Sequence, residues 1–147
     1  MRVLGIDPGF ATTGYGVVER ASGSLRAVTL GAIRTPPALA QADRLAHLAG
    51  GLRGVIDATS PDVVAVERLF FNSNVRTAMS VGQASGVALV IAAEAGLEVA
   101  DYTPSEVKLS VVGVGNAAKH QVQAMVAALL KLPSVPKPAD AADACAL

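Results

Sequence analysis

The first nineteen residues, MRVLGIDPGFATTGYGVVE, constrain the fold more than any other stretch of the chain. An apolar run of Val3, Leu4 and Ile6 stops at Asp7, Pro8-Gly9 turns the chain, and a glycine-laced segment leads into a second run ending at Val18. This pattern predicts a buried strand that delivers a carboxylate to its end, followed by a tight hairpin. Taken alone, Asp7 reads as a turn aspartate bonding its own backbone. Acids elsewhere in the chain decide whether that reading suffices.

The remainder of the sequence predicts an α/β protein. Residues 25–34 read as a third strand, so three strands joined by tight turns form an antiparallel meander. After Pro36-Pro37 the period changes. Leu45, Leu48, Ala49, Leu52, Val55 and Ile56 follow helical spacing until Ser60-Pro61. Residues 62–67, DVVAVE, read as a buried interior strand that again finishes on a carboxylate, Glu67. A second helix is expected over 74–95, with Val75, Met79, Gly82, Gly86, Leu89 and Val90 along one face. Its small residues permit close approach to a sheet or a partner subunit.

A fifth strand is expected over 97–102, followed by Thr103-Pro104-Ser105-Glu106, a capping box with Pro at the first helical position. Gly113 stops that helix, and Asn116 is expected to cap another running through Leu130. A last helix is expected over 139–147, with the chain cut off inside it. With 52% hydrophobic residues, 16% charged residues and 14 glycines in 147, the chain suits one closely packed domain and argues against disorder.

The lone Cys145 excludes an internal disulfide framework and fits a reducing, cytoplasmic setting. No basic-then-apolar leader opens the chain, and its longest apolar stretch, 87–93, falls far short of the roughly 20 residues a membrane span needs. No membrane association is expected. The charge balance, 12 Lys+Arg against 12 Asp+Glu, does not advertise a nucleic-acid binder. With several carboxylates engaged by metal, however, the remaining surface would be basic.

The acids form a pattern. Asp7 and Glu67 end two buried strands. Asp140 and Asp143, in PADAADAC, lie three apart and so share a helix face. Individually, Asp140 reads as an N-cap and Asp143 as a favourable first-turn charge. Together, four converging carboxylates beside close-packing alanines suit hard divalent cations, above all Mg²⁺. Two such ions can activate a water and stabilise the leaving oxygen of a phosphodiester. No His/Cys cluster suggests zinc.

GIDPG at Asp7, AVE at Glu67 followed by RLFF, TPSEVK, VVGVGNAAK and PADAADA together resemble the RuvC family of Holliday junction resolvases. They occur in order and at fitting intervals over essentially the whole chain. The resemblance implies a ribonuclease H-like fold: a five-stranded mixed sheet, an antiparallel meander plus parallel strands, flanked by helices on both faces. It implies a homodimer that makes two symmetric, Mg²⁺-dependent nicks in a four-way DNA junction, with two Mg²⁺ per site and Mn²⁺ able to substitute. A branch-migration complex of the RuvA/RuvB type is the implied partner.

Carried over by position, Asp7, Glu67, Asp140 and Asp143 match the catalytic, metal-binding acids, although His stands at the Asp140 position in some members. Phe70 matches an aromatic near the crossover, and Lys108 and Lys119 match basic residues near the DNA and active site. Residues 1–147 would then be a single nuclease domain, truncated within its last helix and lacking a terminal basic segment.

Phe70 follows Glu67 closely enough to stack on an unpaired base, whereas Phe71 is expected to anchor the core. Arg68, Arg76, Lys108, Lys119 and His120 could reach phosphates, Lys119 best because it opens a helix. His47 reads as a helix-surface residue and Cys145 as a small buried side chain. Three other functions compete: a ribonuclease H-like RNA-processing nuclease, a nucleotide-binding module of the actin-like or sugar-kinase type, and a junction-binding scaffold. The phosphate-holding hairpin of actin-like proteins resembles Asp7–Gly14, but such enzymes need two domains and this chain has room for one.

Overall fold

The computed structural model describes residues 1–68 and 75–147. The opening hairpin forms as its sequence dictates: β1 (Arg2–Asp7) pairs antiparallel with β2 (Thr12–Ala21), Asp7 opposite Gly14. β3 (Ser24–Arg34) completes the meander against β2. The sheet then extends on the other side of β1, where β4 (Val63–Glu67) pairs parallel, followed by β5 (Glu98–Tyr102). The order is β3-β2-β1-β4-β5, with β1 at the centre.

Strand alternation divides the sheet into two faces. On one, Leu4, Ile6, Val17, Val64 and Val66 pack against α1 (Gln41–Thr59) and α2 (Val75–Glu94), making the main core with Leu48, Leu52, Ala88 and Ile91. On the other lie Gly5, Asp7, Gly14, Gly16, Ala65 and Glu67. There α3 (Pro104–Val112), α4 (Lys119–Leu129) and α5 (Ala139–Ala146) form a second layer, with a smaller core of Val122, Val126 and Leu130. The alternation that buries the branched side chains therefore sends both strand-end acids toward α5.

Helix boundaries follow their signals with two exceptions. Thr103 and Glu106 close the expected capping box: Thr103 Oγ1 accepts from the Glu106 amide, and Glu106 Oε2 accepts from the Thr103 amide at 2.7 Å. Gly113 ends α3 at a φ of 82°, where a side chain would be strained. Asn116, however, does not cap α4. The helix starts two residues later, and Gln121 Oε1 accepts from the Ala118 amide at 2.8 Å instead. Nor does Asp140 cap α5. Pro138 holds that position, leaving the Asp140 carboxylate free of the helix end.

α2 is long and apolar enough to cross a membrane by length and composition. Its stripe through Val75, Met79, Leu89 and Val90 faces away from the sheet, with Val75 76% and Val90 56% exposed. The buried side is Ala84, Ala88, Ile91 and Ala92. Gly86 makes no close approach to the sheet, since the space beside it is open. The close approach is made elsewhere, by α5. A Cβ on Gly5 would meet the Ala144 carbonyl oxygen, one on Gly14 the Asp140 carbonyl oxygen, and one on Gly16 the Cys145 sulfur. These three glycines form a bare track on which α5 lies.

Candidate active site

That track fixes where α5 puts its acids. With Gly14 opposite Asp7 in the hairpin and the backbone of Asp140 pressed onto Gly14, the carboxylates of Asp7, Asp140 and Asp143 come together. One oxygen from each lies within 4.8 Å of the others. Glu67 stands beside this trio. Parallel pairing of Ile6 with Val66 makes Asp7 and Glu67 neighbouring strand ends, and each of these two carboxyls is disturbed by charges of the cluster. All four expected acids therefore converge, three tightly and Glu67 at the margin.

The electrostatics are those of crowded carboxylates in which negative charge outweighs positive. Burial, then the charges of Glu67, Asp143 and Asp140, push the Asp7 carboxyl up from 3.8 to about 7, against a lowering effect from Lys119. Burial and Asp143 raise Glu67 as well, while Lys119 and Lys108 act in the other direction. The donor atoms are all carboxylate oxygens, and the one nearby sulfur, that of Cys145, is held protonated by burial, its pKa raised to about 11. Oxygen donors with repulsion to relieve fit a hard cation such as Mg²⁺ or Mn²⁺ and not zinc.

The basic residues divide. Lys119, expected near the DNA and active site, places its ammonium 2.6 Å from Asp143 Oδ2, and that bond raises its own pKa. The helix start that exposes Lys119 also turns it across the acid cluster. Lys108, on α3, lies near enough for its charge to act on Glu67. Arg68 is engaged by Asp101 at 2.6 Å. Arg76 is exposed at the start of α2. Phe70 and Phe71 lie outside the described residues. His47 is exposed on α1, as its position in the helical period required.

Two features escaped the sequence reading. Gln123, one turn after Lys119 on α4, donates through Nε2 to Asp143 Oδ1 at 3.2 Å. Its signal was the i, i+4 spacing from Lys119, beside buried Val122. The second is an open cleft of about 660 Å³ beside the hairpin, lined by Phe10, Arg44, Arg76, Met79 and Gln83, with no carboxylate among the described residues of its walls. Arg44 stacks over Phe10 with 4.3 Å to the ring centroid, and its Nε donates to Thr35 Oγ1 at 2.9 Å. Thr35 in turn donates to the Phe10 carbonyl at 2.7 Å, bracing the turn that follows Asp7. These bonds join residues distant in sequence, which no local pattern shows.

The chain matches the family described as Crossover junction endodeoxyribonuclease RuvC over residues 3–147. A Chloroflexus aggregans protein named crossover junction endodeoxyribonuclease RuvC is 54% identical over 147 residues, covering 100% of this chain and 90% of that one. Among solved structures, Thermus thermophilus RuvC is similar with a TM-score of 0.90 and 37% identity, over 99% of this chain and 90% of that one. The T. thermophilus protein in complex with Holliday junction substrate gives 0.93 and 37%, over 99% of this chain and 89% of that one.

Proposed function

The chain belongs to the RuvC family of crossover junction endodeoxyribonucleases and has its ribonuclease H-like fold, and from that premise we propose that it resolves four-way (Holliday) DNA junctions by paired, symmetric, Mg²⁺-dependent nicks. One observation carries the reading: the trio Asp7, Asp140 and Asp143, with one oxygen of each within 4.8 Å of the others and Glu67 beside them. These four residues are the proposed catalytic acids and metal ligands. Divalent cations bound there supply an activated water and neutralise the leaving oxygen of a phosphodiester. The chain's own part is to hold the acids on rigid elements and to bring positive charge close by. Lys119 is the nearest cation, and Lys108 acts on the Glu67 side.

The cleft holding Arg44, Arg76 and Phe10 supports a path for the DNA backbone, since the described residues of its walls include cations and no acid. Phe70 is retained as a proposed base-stacking residue. Two symmetric nicks suit a two-fold dimer, and the exposed Val75–Met79–Leu89–Val90 stripe of α2 is the surface proposed for a second copy. The family setting makes a branch-migration complex of the RuvA/RuvB type the proposed partner and the cytoplasm the proposed compartment. Residues 1–147 are read as a single nuclease domain.

The test is cleavage of a synthetic four-way junction with Mg²⁺, beside linear duplex, RNA and the Asp7→Asn variant. The expected result is paired nicks in the junction alone and none from the variant. Equal cutting of linear duplex would remove junction specificity, and preferential cutting of RNA would move the function to RNA processing. An active Asp7→Asn protein would remove the metal site.

A further inference from the structure

Asp143 is gripped on both oxygens by one helix. Lys119 Nζ lies 2.6 Å from Oδ2 and Gln123 Nε2 donates to Oδ1 at 3.2 Å, the two side chains being one turn apart on α4. α4 is itself pinned by Val122 and Val126, both buried. The two grips differ in kind. The Lys119 side chain is 63% exposed, and its ammonium is drawn to Asp7 and Asp140 as well as to Asp143. Any cation or phosphate entering the cluster competes with that attraction.

The Gln123 amide carries no charge and competes with neither. A carboxylate only accepts hydrogen bonds, so it is the NH₂ end of the amide that faces Asp143. Oδ1 retains a lone pair after accepting that bond, so it can still serve a cation.

We infer that Gln123 is the positioning residue for Asp143, fixing the orientation in which its carboxylate meets Asp7 and Asp140. The inference rests on the reading of the acid cluster as a divalent-cation site. Partners of this kind, which touch a ligand and not the metal, are worth on the order of 10–100-fold in metal affinity or activity. Lys119 then supplies charge and Gln123 supplies direction. Gln121, on the other side of Val122, spends its amide on the start of α4 instead.

The experiment compares wild type with Gln123→Leu, which keeps the bulk and loses the donor, and Gln123→Glu, which sets a carboxylate against Asp143. Mn²⁺ binding to the protein alone is measured by calorimetry, the Mg²⁺ concentration for half-maximal junction cleavage by titration, and thermal stability in EDTA by melting. For Gln123→Leu, Mn²⁺ affinity is expected to fall about tenfold. The half-maximal Mg²⁺ concentration should rise in parallel, while the melting temperature in EDTA stays close to wild type. Gln123→Glu should lose more.

Unchanged Mn²⁺ affinity in Gln123→Leu overturns the inference. So does a loss of affinity matched by a loss of stability in EDTA, since Gln123 would then merely tie α4 to α5. Wild type that binds Mn²⁺ but leaves the junction uncut overturns the junction function and leaves the role of Gln123 supported by the binding result. Wild type without Mn²⁺ binding overturns both.

Discussion

Asp7 is the residue on which the site turns. Its carboxyl, raised from 3.8 to about 7 mainly by burial, keeps a proton in the folded protein that the unfolded chain has already lost between about pH 4 and 7. The folded state binds more protons across that window, so the stability of the cation-free protein falls as pH rises through it and levels off above about 7. Asp7→Asn should flatten this fall and raise stability at pH 8 in EDTA by up to about 4 kcal/mol, read from urea midpoints. The same substitution should abolish junction cleavage, read on a synthetic four-way junction. A residue that stabilises when neutralised yet is required for activity marks a charge kept for function.

Mg²⁺ should act in the opposite sense. At about 100 times its dissociation constant it stabilises wild type by roughly 2.7 kcal/mol, visible as a higher melting temperature. Asp7→Asn should show little of that rise. In the cleft, Arg76→Gln should weaken junction binding evenly across sequences and lower the slope of log affinity against log salt by about one, which a filter or fluorescence titration resolves. An unchanged slope would take Arg76 off the DNA.

At the scale of elements, the site is made by one helix lying on three glycines. Gly14→Ala drives a Cβ into the Asp140 backbone and side chain, a conflict that no rotamer change relieves because its nearest partner is main chain. The expected outcome is a loss of about 1–3 kcal/mol together with Mn²⁺ affinity, since Asp140 itself is displaced. Gly86→Ala, with open space around it, should leave both unchanged.

The glycines also show what sequence reading can reach. Their presence in β1 and β2 was visible. That α5 is the element on them was not, because the contact joins the first strands to the last helix and no local periodicity encodes it. Strand-end acids were legible for the opposite reason: apolar alternation dictates both the strand and its direction. The cap of α4 misled because Asn116 has the right chemistry, while Gln121 satisfies the same amide from inside the helix.

For the whole molecule, the stripe on α2 sets the expectation. Val75, Met79, Leu89 and Val90 are exposed large apolar residues on a single helix face, a surface that a solitary soluble domain rarely presents. Wild type should sediment as a dimer at micromolar concentration. Val90→Asp should sediment as a monomer with an unchanged circular dichroism spectrum and reduced paired nicking. Helical amphipathicity told which residues share this face, but not that alanines would take the sheet side and leave the larger residues outside.

The acid cluster draws Asp7 from the first strand and Asp140 and Asp143 from the last helix. During synthesis on the ribosome, a chain that has emerged only through β4 carries Asp7 and Glu67 side by side but has no α5 to lay across Gly5, Gly14 and Gly16. Such a nascent chain has half a cation site and a bare glycine track. On the proposed reading of the cluster, a chain at that stage should not cut DNA, and that ability should arrive with α5.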